Sequence, residues 1–190
     1  CWYTNSHGAF SIMSELRTNR IVPRDGLPSG ASGGITQIAI TQKSDMFTWN
    51  TNGDVAITGM SVSITPTRSD SKILVQVQIG ANGVTNAIYP IFWQLYKNGS
   101  QIPTAKGDGT AGASDPVRCA TYSKYSHYYT GSSVSFSFLD SPSTTSATTY
   151  QLYGQRHASA GVCYFNATGQ DINERYARAI STITAMEVSG

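Results

Sequence analysis

The stretch Ile73-Leu74-Val75-Gln76-Val77-Gln78-Ile79 decides the fold class, because Ile or Val recurs at every second position along it. This period is typical of a β-strand with one buried face. From Gly34 onward, similar alternating segments recur roughly eight to ten times, and no amphipathic helix stands between them. The sequence therefore predicts an all-β fold, an antiparallel sandwich of the jelly-roll type.

Two local signals refine this strand pattern. Gly59 separates two alternating segments of opposite parity, which predicts a β-bulge at that position. Asn98 and Gly99 follow an aromatic strand that begins near Ile88, and both residues tolerate a positive φ. We therefore predict a hairpin turn there, with a return strand beginning at Gln101.

The composition limits the classes of function. Hydrophobic residues make up 39% of the 190 residues and charged residues only 13%, about half the usual charged share. The net charge is +2 and no basic run stands out, whereas a nucleic-acid binder would carry a concentrated basic patch. No apolar stretch reaches the length of about 18 residues that a membrane span needs. We therefore expect neither a nucleic-acid partner nor membrane insertion.

The first 33 residues differ from the rest of the chain. Arg17, Arg20 and Arg24 stand among Ser, Asn, Pro and Gly, and the prolines and glycines keep regular structure from propagating. We predict an extended stem or attachment segment over residues 1–33, followed by a β-domain over residues 34–190. A disordered tail is the alternative for residues 1–33.

Catalytic and metal-binding motifs are not evident in the sequence. It contains no HExxH or Walker motif, so we expect no catalytic residues, no metal and no other cofactor. Cys1, Cys119 and Cys163 form no CxxC pair, and we expect buried free thiols, with a Cys119–Cys163 disulfide as the alternative. A zinc site from His127, His157 and Cys163 is a further alternative.

Several strands carry apolar side chains on both faces. A sandwich on its own needs only its inner faces to be apolar. Because few charged residues are available to cover the second face, we predict self-association, with ordinary scattered apolar residues as the alternative. The residues that we expect at the subunit interface are Phe92, Tyr96, Met186 and Val188.

One segment, Cys119–Tyr129, concentrates tyrosines. Tyrosine offers a rigid ring and a hydroxyl at low entropic cost, which suits binding surfaces and the faces of sugars. The alternative is a strand whose tyrosines alternate between the core and a subunit contact. The candidate receptor-binding residues are Tyr122, Tyr125, His127, Tyr128 and Tyr129.

Six blocks of the chain, taken together, carry a resemblance to a known group of proteins. The blocks are Met13–Ile21, Ser61–Pro66, Ser71–Val75, Phe92–Gly99, Ser137–Tyr150 and Ser181–Val188. They resemble tail-fibre and other virion structural proteins of phages, especially marine phages, and the resemblance covers most of the chain from about residue 13 to residue 190. Such proteins resemble C1q/TNF-like jelly rolls, which implies a homotrimer whose N-terminal stem contacts other virion proteins.

The resemblance implies a non-enzymatic fibre or spike module on the surface of the virion. Such a module would contact a host-surface receptor, for instance a glycan, by multivalent adhesion. Three alternatives stay open, because a fold does not determine a function. They are a purely structural capsid or tail protein, a secreted C1q-like lectin module, and a glycan lyase or hydrolase with a carboxylate pair.

Overall fold

The computed structural model describes residues 34–108, 118–127, 129–169 and 177–189. Within these ranges the chain is all-β and contains no helix, and hence none that could span a bilayer. The predicted stem over residues 1–33 lies outside the described residues and stays a prediction. The described strands are β1 (Ile35–Lys43), β2 (Phe47–Trp49), β3 (Asp54–Ile64), β4 (Lys72–Val84), β5 (Ile91–Lys97), β6 (Ser100–Gln101), β7 (Thr121–Ser123), β8 (Ser132–Asp140), β9 (Thr148–Arg156), β10 (Cys163–Phe165) and β11 (Ser181–Val188).

The strands form two sheets, and every pairing between them is antiparallel. In the first sheet the order is β1-β11-β4, and β8 pairs with β4; β10 and β2 extend this sheet beyond β4. In the second sheet the order is β3-β9-β5, and both β6 and β7 pair with β5. The all-β antiparallel fold predicted from the sequence is confirmed.

The two sheets contribute to one hydrophobic core. The period-2 pattern of β4 places Ile73, Val75 and Val77 in this core, with at most 1% of each residue exposed. Trp93 of β5 is fully buried, and its indole N–H donates a hydrogen bond to Ser123 Oγ at 3.0 Å. A buried indole needs such a partner, because an unpaired N–H in the core would be costly.

The bulge and the hairpin turn lie where the sequence predicts them. The register between β3 and β9 shifts between Ala56 and Ser61, and Gly59 within that interval has φ +82°. Asn98 and Gly99 have φ +49° and +81° and connect β5 to β6 as a two-residue turn. Glycine and asparagine adopt this left-handed region with little strain, so both predictions are confirmed.

The two described cysteines are free thiols. Cys163 is fully buried, and burial raises the pKa of its thiol to about 12 although Arg156 lowers it. Cys119 is half-buried, and burial raises its pKa as well. The prediction of free thiols is confirmed for this pair, and the alternative of a Cys119–Cys163 disulfide is wrong.

Candidate functional site

The tyrosine-rich segment does not form one continuous binding surface. Tyr122 lies on β7 with 59% of its surface exposed, whereas Tyr125 is only 3% exposed. The hydroxyl of Tyr125 donates to the side-chain carbonyl of Asn82, and burial raises its pKa. Tyr125 therefore belongs to the core, and we remove it from the candidate receptor-binding residues.

The other candidates in this segment are distributed differently. His127 and Tyr129 are exposed, and their rings stack with centroids 4.5 Å apart. Tyr128 lies outside the described residues. The turn around them is closed by Thr130, whose hydroxyl donates to the carbonyl of His127 at 2.6 Å. Of the four candidates that the structure describes, Tyr122 is the one that lines the groove described below.

The four candidate interface residues lie on two different sheets. Met186 and Val188 belong to β11 in the first sheet, and Phe92 and Tyr96 belong to β5 in the second. Tyr96 already has partners within the chain: its ring stacks on Tyr153 with centroids 3.7 Å apart. Its hydroxyl donates to an Asp54 carboxylate oxygen at 2.6 Å. One subunit therefore cannot present all four residues in a single patch.

The outward face of the first sheet carries a row of four apolar side chains, which we call the outer apolar row. Its members, Ile38, Met186, Leu74 and Leu139, are successive register partners across β1, β11, β4 and β8. Ile38 is 61% exposed and Leu139 is 55% exposed. Because neighbours of Leu74 along β4 are buried, the row must point away from the core.

The two rows on one side of the outer apolar row are largely polar. Gln76 and Gln78 of β4 are exposed there, and their register partners on β8 and β11 are serines and threonines. These side chains and Ile40 border a concavity of about 750 Å³. On that side the outward face of the first sheet is rich in amides and hydroxyls, whereas Lys72 and Val188 are register partners on the other side of the apolar row.

A second concavity, of about 510 Å³, opens on the second sheet, and we call it the aromatic groove. Phe92 of β5 and Tyr122 of β7 are register partners in it. The connection from β4 to β5 forms one wall of the groove. His157, which directly follows β9, lies at the end of the groove. The lining residues are Ile88, Tyr89, Pro90, Phe92, Cys119, Tyr122, Lys124 and His157.

Two contacts hold the end of the aromatic groove together, where Tyr89 and Pro90 of the β4–β5 connection meet His157. Tyr89 and His157 stack with their centroids 4.8 Å apart and their planes 18° from parallel. The backbone N–H of His157 donates to the carbonyl of Pro90 at 3.1 Å. Both groups are thus held in place before any ligand arrives.

Sequence reasoning did not identify Ile88 or Tyr89 as site residues, and it considered His157 only as a ligand in the alternative zinc site. Tyr89 and His157 are 68 positions apart, and no motif connects them. The one local signal was the aromatic content of the segment from Ile88 to Tyr96, which we interpreted as core or subunit interface. Phe92, which we predict at the subunit interface, also lines the aromatic groove.

Metal-binding geometry does not occur in the part of the chain that the structure describes. No three His, Cys, Asp or Glu side chains there are grouped so that they could hold an ion. In particular, His127, His157 and Cys163 do not come together, so the zinc alternative from the sequence has no structural basis.

Comparisons with known proteins give no assignment. No protein-family model matches the chain, and no curated protein matches it either.

Proposed function

We propose that this chain is a non-enzymatic module of a virion fibre, in which three copies associate and bind a receptor on the host surface. The observation that carries the proposal is the outer apolar row, because it leaves a sheet face that a second copy would cover. The resemblance to phage fibre proteins supplies the virion location. The aromatic groove supplies the surface for adhesion.

The strand order supports a jelly roll of the C1q/TNF-like kind. When the short strands β2, β6 and β10 are set aside, eight strands are left in the described chain, among them β7, which also has three residues. The first, eighth, third and sixth of them form one sheet, and the second, seventh, fourth and fifth form the other. This order is that of two interleaved Greek keys, which is how a jelly roll is wound.

The outer apolar row supports self-association. Side chains in a sandwich alternate between the core and solvent, so the outward positions are normally polar. Ile38 and Leu139 are instead more than half exposed, and no charged residue interrupts the row. Contiguous exposed apolar surface of this kind marks an interaction site. Met186, predicted at the interface from the sequence, lies in the middle of it.

The position of the aromatic groove supports adhesion by the assembled form. The outer apolar row belongs to the first sheet, whereas Phe92 and Tyr122 belong to the second. Copies that pack on the first sheet therefore leave the groove accessible. Aromatic rings such as that of Tyr122 can stack on the apolar face of a sugar. Three such sites on one trimer would gain avidity from effective concentration.

A glycan array with the purified protein tests this function. The wild type should bind a subset of host-surface glycans, and Tyr122→Ala should lose that binding. Tyr129→Ala is the matched comparison: Tyr129 is an exposed tyrosine of the same segment that does not line the groove, so binding through the groove should survive this change. Failure of the wild type to bind any glycan, together with normal host adsorption of virions that carry Tyr122→Ala, would overturn receptor binding by the groove.

A further inference from the structure

The aromatic groove contains basic side chains but no acidic ones. Its lining contains Lys124 and His157 but no Asp or Glu. Lys124 is exposed, and none of the ion pairs in the described part of the chain involves it. A cation beside low-dielectric apolar walls attracts an anion more strongly than the same cation on an open polar surface.

His157 offers the groove a hydrogen-bond donor. Its Nδ1 accepts a hydrogen bond from the backbone N–H of Ser159 at 3.1 Å. A ring nitrogen that accepts carries no proton, so a hydrogen of the ring lies on Nε2. The stacking of His157 on Tyr89 fixes the orientation of the ring.

The polar side-chain groups of the groove therefore favour a ligand that is rich in acceptors. The Lys124 ammonium and the Nε2–H of His157 only donate, and the Tyr122 and Tyr89 hydroxyls can do so. The lining has no carboxylate to accept hydrogen bonds from the many hydroxyls of a neutral sugar. A sugar that bears a carboxylate would satisfy the donors, and its ring could stack on Tyr122.

Backbone strain at the rim is an independent sign of function. Ile88 has φ +72°, a conformation that a β-branched residue rarely adopts, and 60% of its surface is exposed. The backbone N–H of Ile88 donates to the carbonyl of Tyr125 at 2.9 Å, which holds it in place. Strained residues of this kind persist only where the surrounding structure fixes their conformation, and they concentrate at ligand-binding sites.

We propose that the aromatic groove binds an acidic saccharide, in which Lys124 and His157 bind the carboxylate and Tyr122 stacks on the sugar ring. This inference rests on the proposed function, since it names the chemical class of the receptor. It adds that the carboxylate, rather than the sugar ring alone, determines which glycans bind.

Matched pairs of ligands test the inference. The probes are trigalacturonate and 3′-sialyllactose, each compared by calorimetry with its methyl ester, which keeps the rings and removes the charge. Hexa-aspartate serves as an acidic ligand without sugar rings. At least one acid should bind, with its ester about tenfold weaker or worse, and hexa-aspartate should not bind.

Protein variants then assign the effect to the groove. Lys124→Gln should weaken binding of the acid about tenfold and reduce the difference in affinity between acid and ester. Lys72→Gln is the control, because Lys72 is an exposed lysine on the first sheet. It should leave the affinity unchanged. The thermal unfolding midpoint of each variant checks that the fold is intact.

The outcomes separate this inference from the proposed function. If acid and ester bind equally and Tyr122→Ala abolishes both, the groove is a sugar site and the requirement for a carboxylate is overturned. If hexa-aspartate binds as well as the sugars, or Lys72→Gln weakens binding as much as Lys124→Gln, the assignment to an acidic saccharide in this groove is wrong. If no saccharide binds, both the inference and the groove's role in adhesion fail.

Discussion

Glu187 accepts two hydrogen bonds from Thr67, one from its backbone N–H at 2.8 Å and one from its hydroxyl at 2.7 Å. A third hydrogen bond, from the Gln37 side-chain amide, reaches its other carboxylate oxygen at 2.6 Å. Glu187 lies on the last strand and is fully buried. It therefore ties the turn between β3 and β4 to the end of the first sheet, beside the outward positions that we assign to the subunit interface.

This arrangement predicts a loss of stability in acid. Burial raises the pKa of Glu187, but Ser71, Thr67 and Gln37 lower it by more than burial raises it. The net effect is a pKa lowered from 4.5 to about 2. Because the folded pKa is the lower one, the stabilisation is complete above pH 4.5 and is lost as the pH falls toward 2. Glu187→Gln should therefore lower the free energy of unfolding at pH 7, and the deficit should shrink at pH 2.5.

Urea unfolding at several pH values measures this difference. Asp70→Asn is the control, because Asp70 forms an exposed ion pair with Arg68 and such pairs contribute little. A deficit for Glu187→Gln that is equally large at pH 7 and pH 2.5 would contradict the account.

Asp140 connects the two sheets. Its carboxylate accepts two hydrogen bonds from the Lys97 ammonium, at 2.8 and 3.0 Å, and one from the Tyr150 hydroxyl at 2.6 Å. Asp140→Ala would leave the buried Tyr150 hydroxyl unpaired and should cost about 2–4 kcal/mol of stability. Tyr150→Phe keeps the ring and should cost only about 1 kcal/mol. Equal losses in denaturant unfolding would show that the carboxylate does not organise this cluster.

Ile88 predicts a trade-off between stability and binding. Ile88→Gly relieves the strain at φ +72° and should stabilise the protein by about 1 kcal/mol while weakening ligand binding. Ile88→Ala removes most of the same exposed side chain but keeps the backbone strain. It should therefore weaken ligand binding without stabilising the protein. Thermal unfolding and calorimetry distinguish the two variants. If Ile88→Gly is no more stable than Ile88→Ala, the backbone at this residue stores no strain.

The all-β antiparallel character of the fold was predictable from the sequence because its signals are local. The alternation through Ile73 and Val75 requires one buried face, and the dipeptide Asn98-Gly99 tolerates the positive φ angles of a tight turn. Each of these signals can be recognised within about ten residues. Neither signal depends on residues from a distant part of the chain.

The candidate site was only partly predictable because long-range contacts build it. Tyr122 and Tyr125 stand three residues apart in the same kind of sequence, yet one lines the groove and the other is buried against Asn82. Tyr89 meets His157 only because the connection from β4 to β5 reaches the chain after β9. Alternation alone cannot predict which strand covers which face.

The mass of the particle in solution tests the central claim, that copies of the chain cover the outer apolar row, most directly. Light scattering of the purified protein should give three times the 20.4 kDa of one chain. Leu139→Lys, which places a charge in the row, should dissociate that particle, whereas Tyr122→Ala on the other sheet should leave it intact. A wild-type protein that stays at 20.4 kDa across micromolar concentrations would contradict the account.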